Sequence, residues 1–145
     1  MKENLRVETE IAIDAPASAV WKAVTDPAEI KQYFFGTDVH TDWKVGSPIE
    51  YTGVYNGVAY HDKGIIKQNI PEKILQSTYW SSMSGKEDKP ENYQDITYEL
   101  MPRNGGTTLK VTQLNVRSQK EQEHSTANWK MVLEALKKFV EGKKK

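Results

Sequence analysis

The stretch from Gln119 to Glu141 constrains the fold of this chain more than any other. Trp129, Val132, Leu133, Leu136, Phe139 and Val140 fall on one face at helical spacing. Ser118, with Glu121 three residues on, has the spacing of a capping box, and Gly142 stands where a left-handed residue after the last turn is expected. Lys137 and Lys138 suit the negative end of the helix dipole. Such a helix reaches about 35 Å at 1.5 Å per residue, enough to span a small domain. Extended toward its start, the same face passes through Ser125 and Gln122 and stops being apolar. One half is therefore expected to pack on a core, and the other half to wall a wetter space.

Upstream, Leu5, Val7, Thr9, Ile11 and Ile13 alternate with Arg6, Glu8, Glu10 and Ala12, the period of a strand with one face on a core. Asp14 and Pro16 mark a helix start, with Val20, Trp21 and Val24 as its apolar stripe. Asp26-Pro27-Ala28-Glu29 supplies a cap, a proline at the first helical position and an N3 glutamate for a second short helix. A weak strand is expected over Val39–Val45, then Ile49–Tyr55 and Val58–Ile66 on either side of Asn56-Gly57. That dipeptide favours a type I′ hairpin, because both central residues need positive φ. A two-residue loop pairs Tyr55 with Val58, Gly53 with Tyr60, Tyr51 with Asp62 and Ile49 with Gly64. These pairs share one face, taken as inward, while Glu50, Thr52, His61 and Lys63 point the other way. Ile74–Trp80 reads as a strand of ambiguous parity, since Leu75 and Tyr79 oppose Ile74 and Trp80. Ser81–Asn92 is polar and is expected to be a mobile loop. Tyr93–Leu100 and Thr107–Leu114 make a last hairpin around Arg103-Asn104-Gly105-Gly106, with Ile96, Tyr98, Leu100, Leu109 and Val111 inward.

One strand, two short helices, about six strands and a long helix describe an α+β chain. The expectation is one antiparallel sheet with its helices on one face, curving around the last helix and leaving a hollow near Gln122 and Ser125. With 145 residues, the chain is expected to form a single domain over residues 1–145 that buries about two thirds of its unfolded surface. Twenty basic and twenty acidic residues give no net charge, which argues against nucleic acid as a partner. The run Lys143 to Lys145 reads as a solvated tail. The absence of cysteine excludes disulfides, thiolate metal sites and cysteine nucleophiles. No apolar run nears the roughly 18 residues that span a bilayer and no signal-peptide core is present, so a cytoplasmic protein without membrane insertion is expected.

Several motifs carry a family resemblance. They are Ile13-Asp14-Ala15-Pro16 followed by Val20-Trp21, Thr25-Asp26-Pro27, and Trp43-Lys44-Val45-Gly46-Ser47. Further along come Pro71-Glu72-Lys73-Ile74-Leu75 leading to Trp80, Gly106-Thr107-Thr108-Leu109, and Trp129 with Leu133 and Leu136. Together these resemble the START-like or Bet v 1-like (SRPBCC) superfamily and, within it, the domain named for the activator of Hsp90 ATPase, homologue 1. The resemblance covers nearly the whole chain. It implies the helix-grip fold, and as partner either a hydrophobic small molecule or a chaperone of the Hsp90 type, with a link to the stress response. The motifs are structural and specify fold more than chemistry.

His40, His61 and His124 are the only histidines, and none has a second ligand at ligand spacing, so neither a metal nor another cofactor is expected. The serines lack a Gly-x-Ser-x-Gly elbow, and Asn56-Gly57 and Gly105-Gly106 are hairpin turns rather than phosphate loops. By register Asp62 faces inward, where a carboxylate in an apolar cavity could serve as acid or base; at a bulge or sheet edge it would simply be solvated. Trp21, Trp129 and Phe139 read as core. Trp43, Tyr51, Tyr60, Trp80 and Tyr98 lie on strands that would line the hollow. With Asp62, Gln113, Gln122 and Ser125 they form the candidate ligand-binding set. Three functions stay open: a non-catalytic carrier or sensor of an apolar or amphipathic small molecule, a chaperone-interaction module, and a cyclase- or hydrolase-like enzyme using Asp62 with Tyr60 or Tyr98. The residue set favours the first. Monomer and dimer are both open.

Overall fold

In the computed structural model, residues 5–82 and 84–143 are described. Seven strands make one antiparallel sheet: β1 (Leu5–Ile13), β2 (Asp38–His40), β3 (Pro48–Tyr55), β4 (Val58–Ile70), β5 (Ile74–Tyr79), β6 (Gln94–Arg103) and β7 (Gly106–Val116). Their spatial order is β1-β7-β6-β5-β4-β3-β2. Two short helices, α1 (Ala17–Thr25) and α2 (Pro27–Tyr33), connect β1 to β2, and the long α3 (Gln119–Gly142) follows β7. This is the α+β layout that the element order predicts and the helix-grip fold that the family resemblance implies, with a curved open sheet around the last helix.

The β3–β4 hairpin has the register set by its turn. Asn56 and Gly57 take φ values of 50° and 79°, and Tyr51 faces Asp62 while Gly53 faces Tyr60. Gly53 leaves room for the Tyr60 ring, which lies across it and would have to shift to admit a Cβ. Gly64 has the same role on β4, where a Cβ would overlap the Thr78 carbonyl oxygen of β5. Two backbones approach closely at that point, and the absence of a side chain lets the sheet curl.

The weak strand expected over Val39–Val45 contracts to Asp38–His40. The Asp42 carboxylate accepts from the Lys44 N–H at 2.9 Å and Trp43 adopts φ 66°, so a side-chain-stabilised turn replaces the second half of the strand. α2 starts as its cap predicts, with Asp26 Oδ1 accepting from the Ala28 N–H at 2.9 Å.

In the core, Trp129, Val132, Leu133, Leu136 and Val140 of α3 pack with Val7 and Ile13 of β1, Leu109 and Val111 of β7, and Val20 and Val24 of α1. Each fully buried aliphatic side chain contributes about 1.5–3 kcal/mol. Ser118 caps α3 by accepting the Glu121 N–H at 3.1 Å. The C-terminal expectation needs correcting. Gly142 continues the right-handed helix and Lys143 follows at φ −74°. Lys143 reaches Glu29 of α2 at 2.8 Å and lies over the Phe139 ring, contacts that favour a right-handed end one residue further on over a left-handed exit. Lys144 and Lys145 of the expected tail lie outside the described residues. Among the described residues, no helix is long and apolar enough to cross a membrane.

Candidate functional site

Between the inner face of the sheet, the end of α2 and the first half of α3 lies a hollow of about 670 Å³. Ile66, Leu75 and Ile96 give it an apolar floor, and Phe35, Tyr55 and Met131 stand half-exposed at its rim.

Most of the candidate set converges here. Tyr51, Tyr60 and Asp62 come from the β3–β4 hairpin, Tyr98 and Gln113 from β6 and β7, Trp43 from the turn after β2, and Ser125 from α3. Trp80 and Gln122 do not line the hollow. Leu75, Ser77 and Tyr79 are the inward residues of β5, so Trp80 points outward, donates its Nε1–H to the Lys86 carbonyl at 3.1 Å and packs under the Lys63 ammonium. Gln122 lies over β1 and donates to the Arg6 carbonyl at 2.8 Å. The hollow faces the neighbouring helix stripe of Glu121, Ser125 and Asn128. Ser125 is shared with the stripe obtained by extending the core face, whereas Gln122 falls on the β1 side of the helix.

Asp62 is buried, with 7% exposure. β4 lies between β3 and β5, and the strand's bulge falls further along, between Ile66 and Gln68, so the solvated alternative does not apply. Its Oδ2 accepts from the Tyr79 hydroxyl at 2.7 Å, and its Oδ1 accepts from the Ser82 N–H at 2.9 Å and the Ser82 hydroxyl at 3.3 Å. These bonds, with the Lys63–Asp88 ion pair at 2.5 Å, tie down both ends of the segment expected to be a free loop; Met83 within it lies outside the described residues.

A second polar chain runs from the core to the rim. Trp129 Nε1–H donates to Gln113 Oε1 at 2.8 Å, Gln113 donates to Gln94 Oε1 at 2.7 Å, and Gln94 donates to Glu121 Oε1 at 3.0 Å. Lys86 completes it on Glu121 Oε2 at 3.0 Å. The Glu121 side chain thus turns into the hollow instead of back to Ser118, and only half of the capping box forms. Gln94 and Glu121 were not legible as site residues, because their placement depends on which side of α3 the sheet curls toward. The parity of Tyr79 was the one available clue to β5.

The phenols lining the hollow are held protonated. Burial pushes Tyr51 up to about 12, partly offset by the Ser77 hydroxyl and reinforced by the charge of Asp62. Burial and then Asp62 raise Tyr79 well above its ordinary value. Burial also raises Tyr98. At neutral pH these groups are neutral donors, and the Tyr98 hydroxyl has no hydrogen-bond partner among the described residues.

The family model described as Activator of Hsp90 ATPase homolog 1-like protein matches residues 14–141. The chain belongs to this family. The solution structure of a Cytophaga hutchinsonii protein is similar at 45% identity and a TM-score of 0.83, covering 96% of this chain and 95% of that one. The fold of this activator-like chain is also that of the Aha1 dimer from Colwellia psychrerythraea, at 21% identity and TM-score 0.76, with 94% and 96% of the two chains covered. CalU16 from Micromonospora echinospora shares the fold at 21% identity and TM-score 0.72, over 97% of this chain and 86% of that one. No curated protein matches the chain. With these two proteins, each 21% identical, this member of the activator-like family shares the fold.

Proposed function

We propose that the chain is a non-catalytic binding protein that holds a small apolar or amphipathic molecule in the hollow between the sheet and α3. The observation that carries this reading is the hollow itself. Its volume of about 670 Å³ falls within the range of roughly 300–1,000 Å³ usual for small-molecule sites, and its apolar floor carries a few convergent polar groups. The unpartnered Tyr98 hydroxyl supplies a donor to a ligand acceptor. The enzymatic reading is weaker, because both Asp62 oxygens are already engaged by Tyr79 and Ser82 in holding the end of β5 to β4.

A chaperone-interaction module is the second reading. It draws on the family's description and on the apolar rim of Phe35, Tyr55 and Met131, which are 48%, 54% and 56% exposed and which a protein partner could cover. Titration with the neutral fluorescent probe 1-N-phenylnaphthylamine separates the two. The binding reading expects saturable fluorescence enhancement in wild type and its loss in Ser125→Trp, which fills the hollow. Absence of enhancement in wild type, together with no small molecule retained in native mass spectrometry, transfers the weight to the interaction module.

A further inference from the structure

The charges lining the hollow do not balance. Among the described residues, Asp62, Lys86, Glu121 and His124 are its ionisable residues other than tyrosines. Lys86 and Glu121 pair at 3.0 Å and cancel, and His124 is exposed at the rim. Asp62 remains. Its neighbours in sequence, His61 and Lys63, turn to the opposite face and pair with Glu50 and Asp88, so no cationic side chain among the described residues reaches it. A phenol, an amide and a hydroxyl satisfy its hydrogen bonds without neutralising it. A carboxylate offers about four acceptor positions, and Oδ2 uses one.

Two tyrosines stand beside this carboxylate. Tyr51 stands directly opposite Asp62 in the β3–β4 register, whereas the Tyr60 ring lies across Gly53 with its hydroxyl on Thr37. Tyr79 bonds to Asp62 and packs edge-on to Tyr51, with ring centroids 5.7 Å apart. All of them line the hollow. A carboxylate without a cationic partner, beside tyrosine rings whose π systems attract positive charge, suits a desolvated cation. A ligand anion in the same place would meet Asp62 at short range in a low-dielectric setting.

We propose that the hollow selects a cationic amphiphile: an amine whose ammonium head sits against Asp62 beside Tyr51 and Tyr79, with its apolar body toward Leu75 and Trp129. This rests on the binding reading above and narrows it to one ligand class. Fatty-acid-like carboxylates are disfavoured.

The test displaces 1-N-phenylnaphthylamine from the wild-type protein at pH 7 with decylammonium, decyltrimethylammonium, decanol and decanoate, all below micelle formation. Decylammonium is expected to displace the probe at concentrations about tenfold or more below decanoate, with decanol between. Decyltrimethylammonium, which cannot donate a hydrogen bond, is expected to keep most of that advantage. In Asp62→Asn the head-group series should level when each displacement is referred to that variant's own affinity for the probe. Decanoate binding as well as decylammonium, or a cation preference that survives in folded Asp62→Asn, overturns the proposal and leaves the binding reading standing. Failure of the probe and all four compounds to bind sinks both. If Asp62→Asn does not fold, the wild-type head-group series decides alone.

Discussion

The two halves of α3 share one uninterrupted helix but are held by different physics. From Trp129 onward the helix is fixed by burial: Val132, Leu133, Leu136 and Val140 are all at 2% exposure or less. From Ser118 to Asn128 it is fixed by polar contacts, namely the Ser118 cap, Gln122 on the β1 backbone, and Glu121 between Gln94 and Lys86. The magnitudes differ accordingly. A buried aliphatic side chain contributes about 1.5–3 kcal/mol, a hydrogen bond about 0.5–1.5 net, and a partly exposed ion pair about 0–1. Stability is thus concentrated at one end of the helix, which leaves the other end able to border a space without packing it. The backbone hydrogen bonds of the helix do not depend on what its faces touch, so rigidity extends over the hollow at little cost.

Trp129→Ala tests this contrast with the largest effect. It should cost about 3–5 kcal/mol in denaturant titration, both through the cavity left and through the Gln113 acceptor left without its donor. A loss within about 1 kcal/mol of wild type would mean that the packed half is not packed. Alkaline pH should come next. A phenol whose folded pKa is raised favours the folded state fully below its unfolded pKa, and that contribution is lost as pH rises through the folded value. For Tyr51 the window runs from 10.0 to about 12, and Tyr79 and Tyr98 act in the same direction. Stability should therefore fall above pH 10, with tyrosinate absorbance from these residues appearing only as the protein unfolds. Gradual ionisation in a still-folded protein would contradict their burial. Gln122→Ala should cost only about 0.5–1.5 kcal/mol, the value of one hydrogen bond to the β1 backbone. Ser125→Trp should change stability least, because the new ring enters open space, whereas overpacking a filled core costs about 1–3 kcal/mol. A marked destabilisation there would erase the difference between the halves.

What was legible in the sequence was whatever local chemistry decides. Asn56-Gly57 fixed the whole β3–β4 register, because a two-residue turn leaves no freedom for slippage, and that register correctly placed Tyr51 opposite Asp62. Ser118 and Asp26 marked their helix starts, since a cap acts on residues two or three positions away. Features set by distant partners were misplaced or left open. Nothing near Trp80 reveals that β6 pairs with β5 in a way that turns Tyr79 inward. The right-handed conformation of Gly142 reflects Lys143 meeting Glu29, a residue from the first quarter of the chain. The stripe of α3 that borders the hollow depends on sheet curvature, which Gly64 and Thr78 govern jointly from neighbouring strands. The burial of Asp62 was open for the same reason, since its donors Tyr79 and Ser82 come from the far end of β5.

The pairing of β1 with β7 bears on how the molecule is made. Ile13 lies against Thr107 and Leu5 against Val116, partners separated by about a hundred residues of chain. The β3–β4 and β6–β7 hairpins can close early over short loops, whereas β1 must wait for the last strand to be synthesised. Closing so large a loop carries a high entropic cost before its contacts form, which favours slow, late completion of the sheet over vectorial folding from the ribosome. Until then β1 is an unpaired strand with apolar residues on one face, so a nascent or truncated chain lacking β7 presents a ready template for edge-to-edge aggregation.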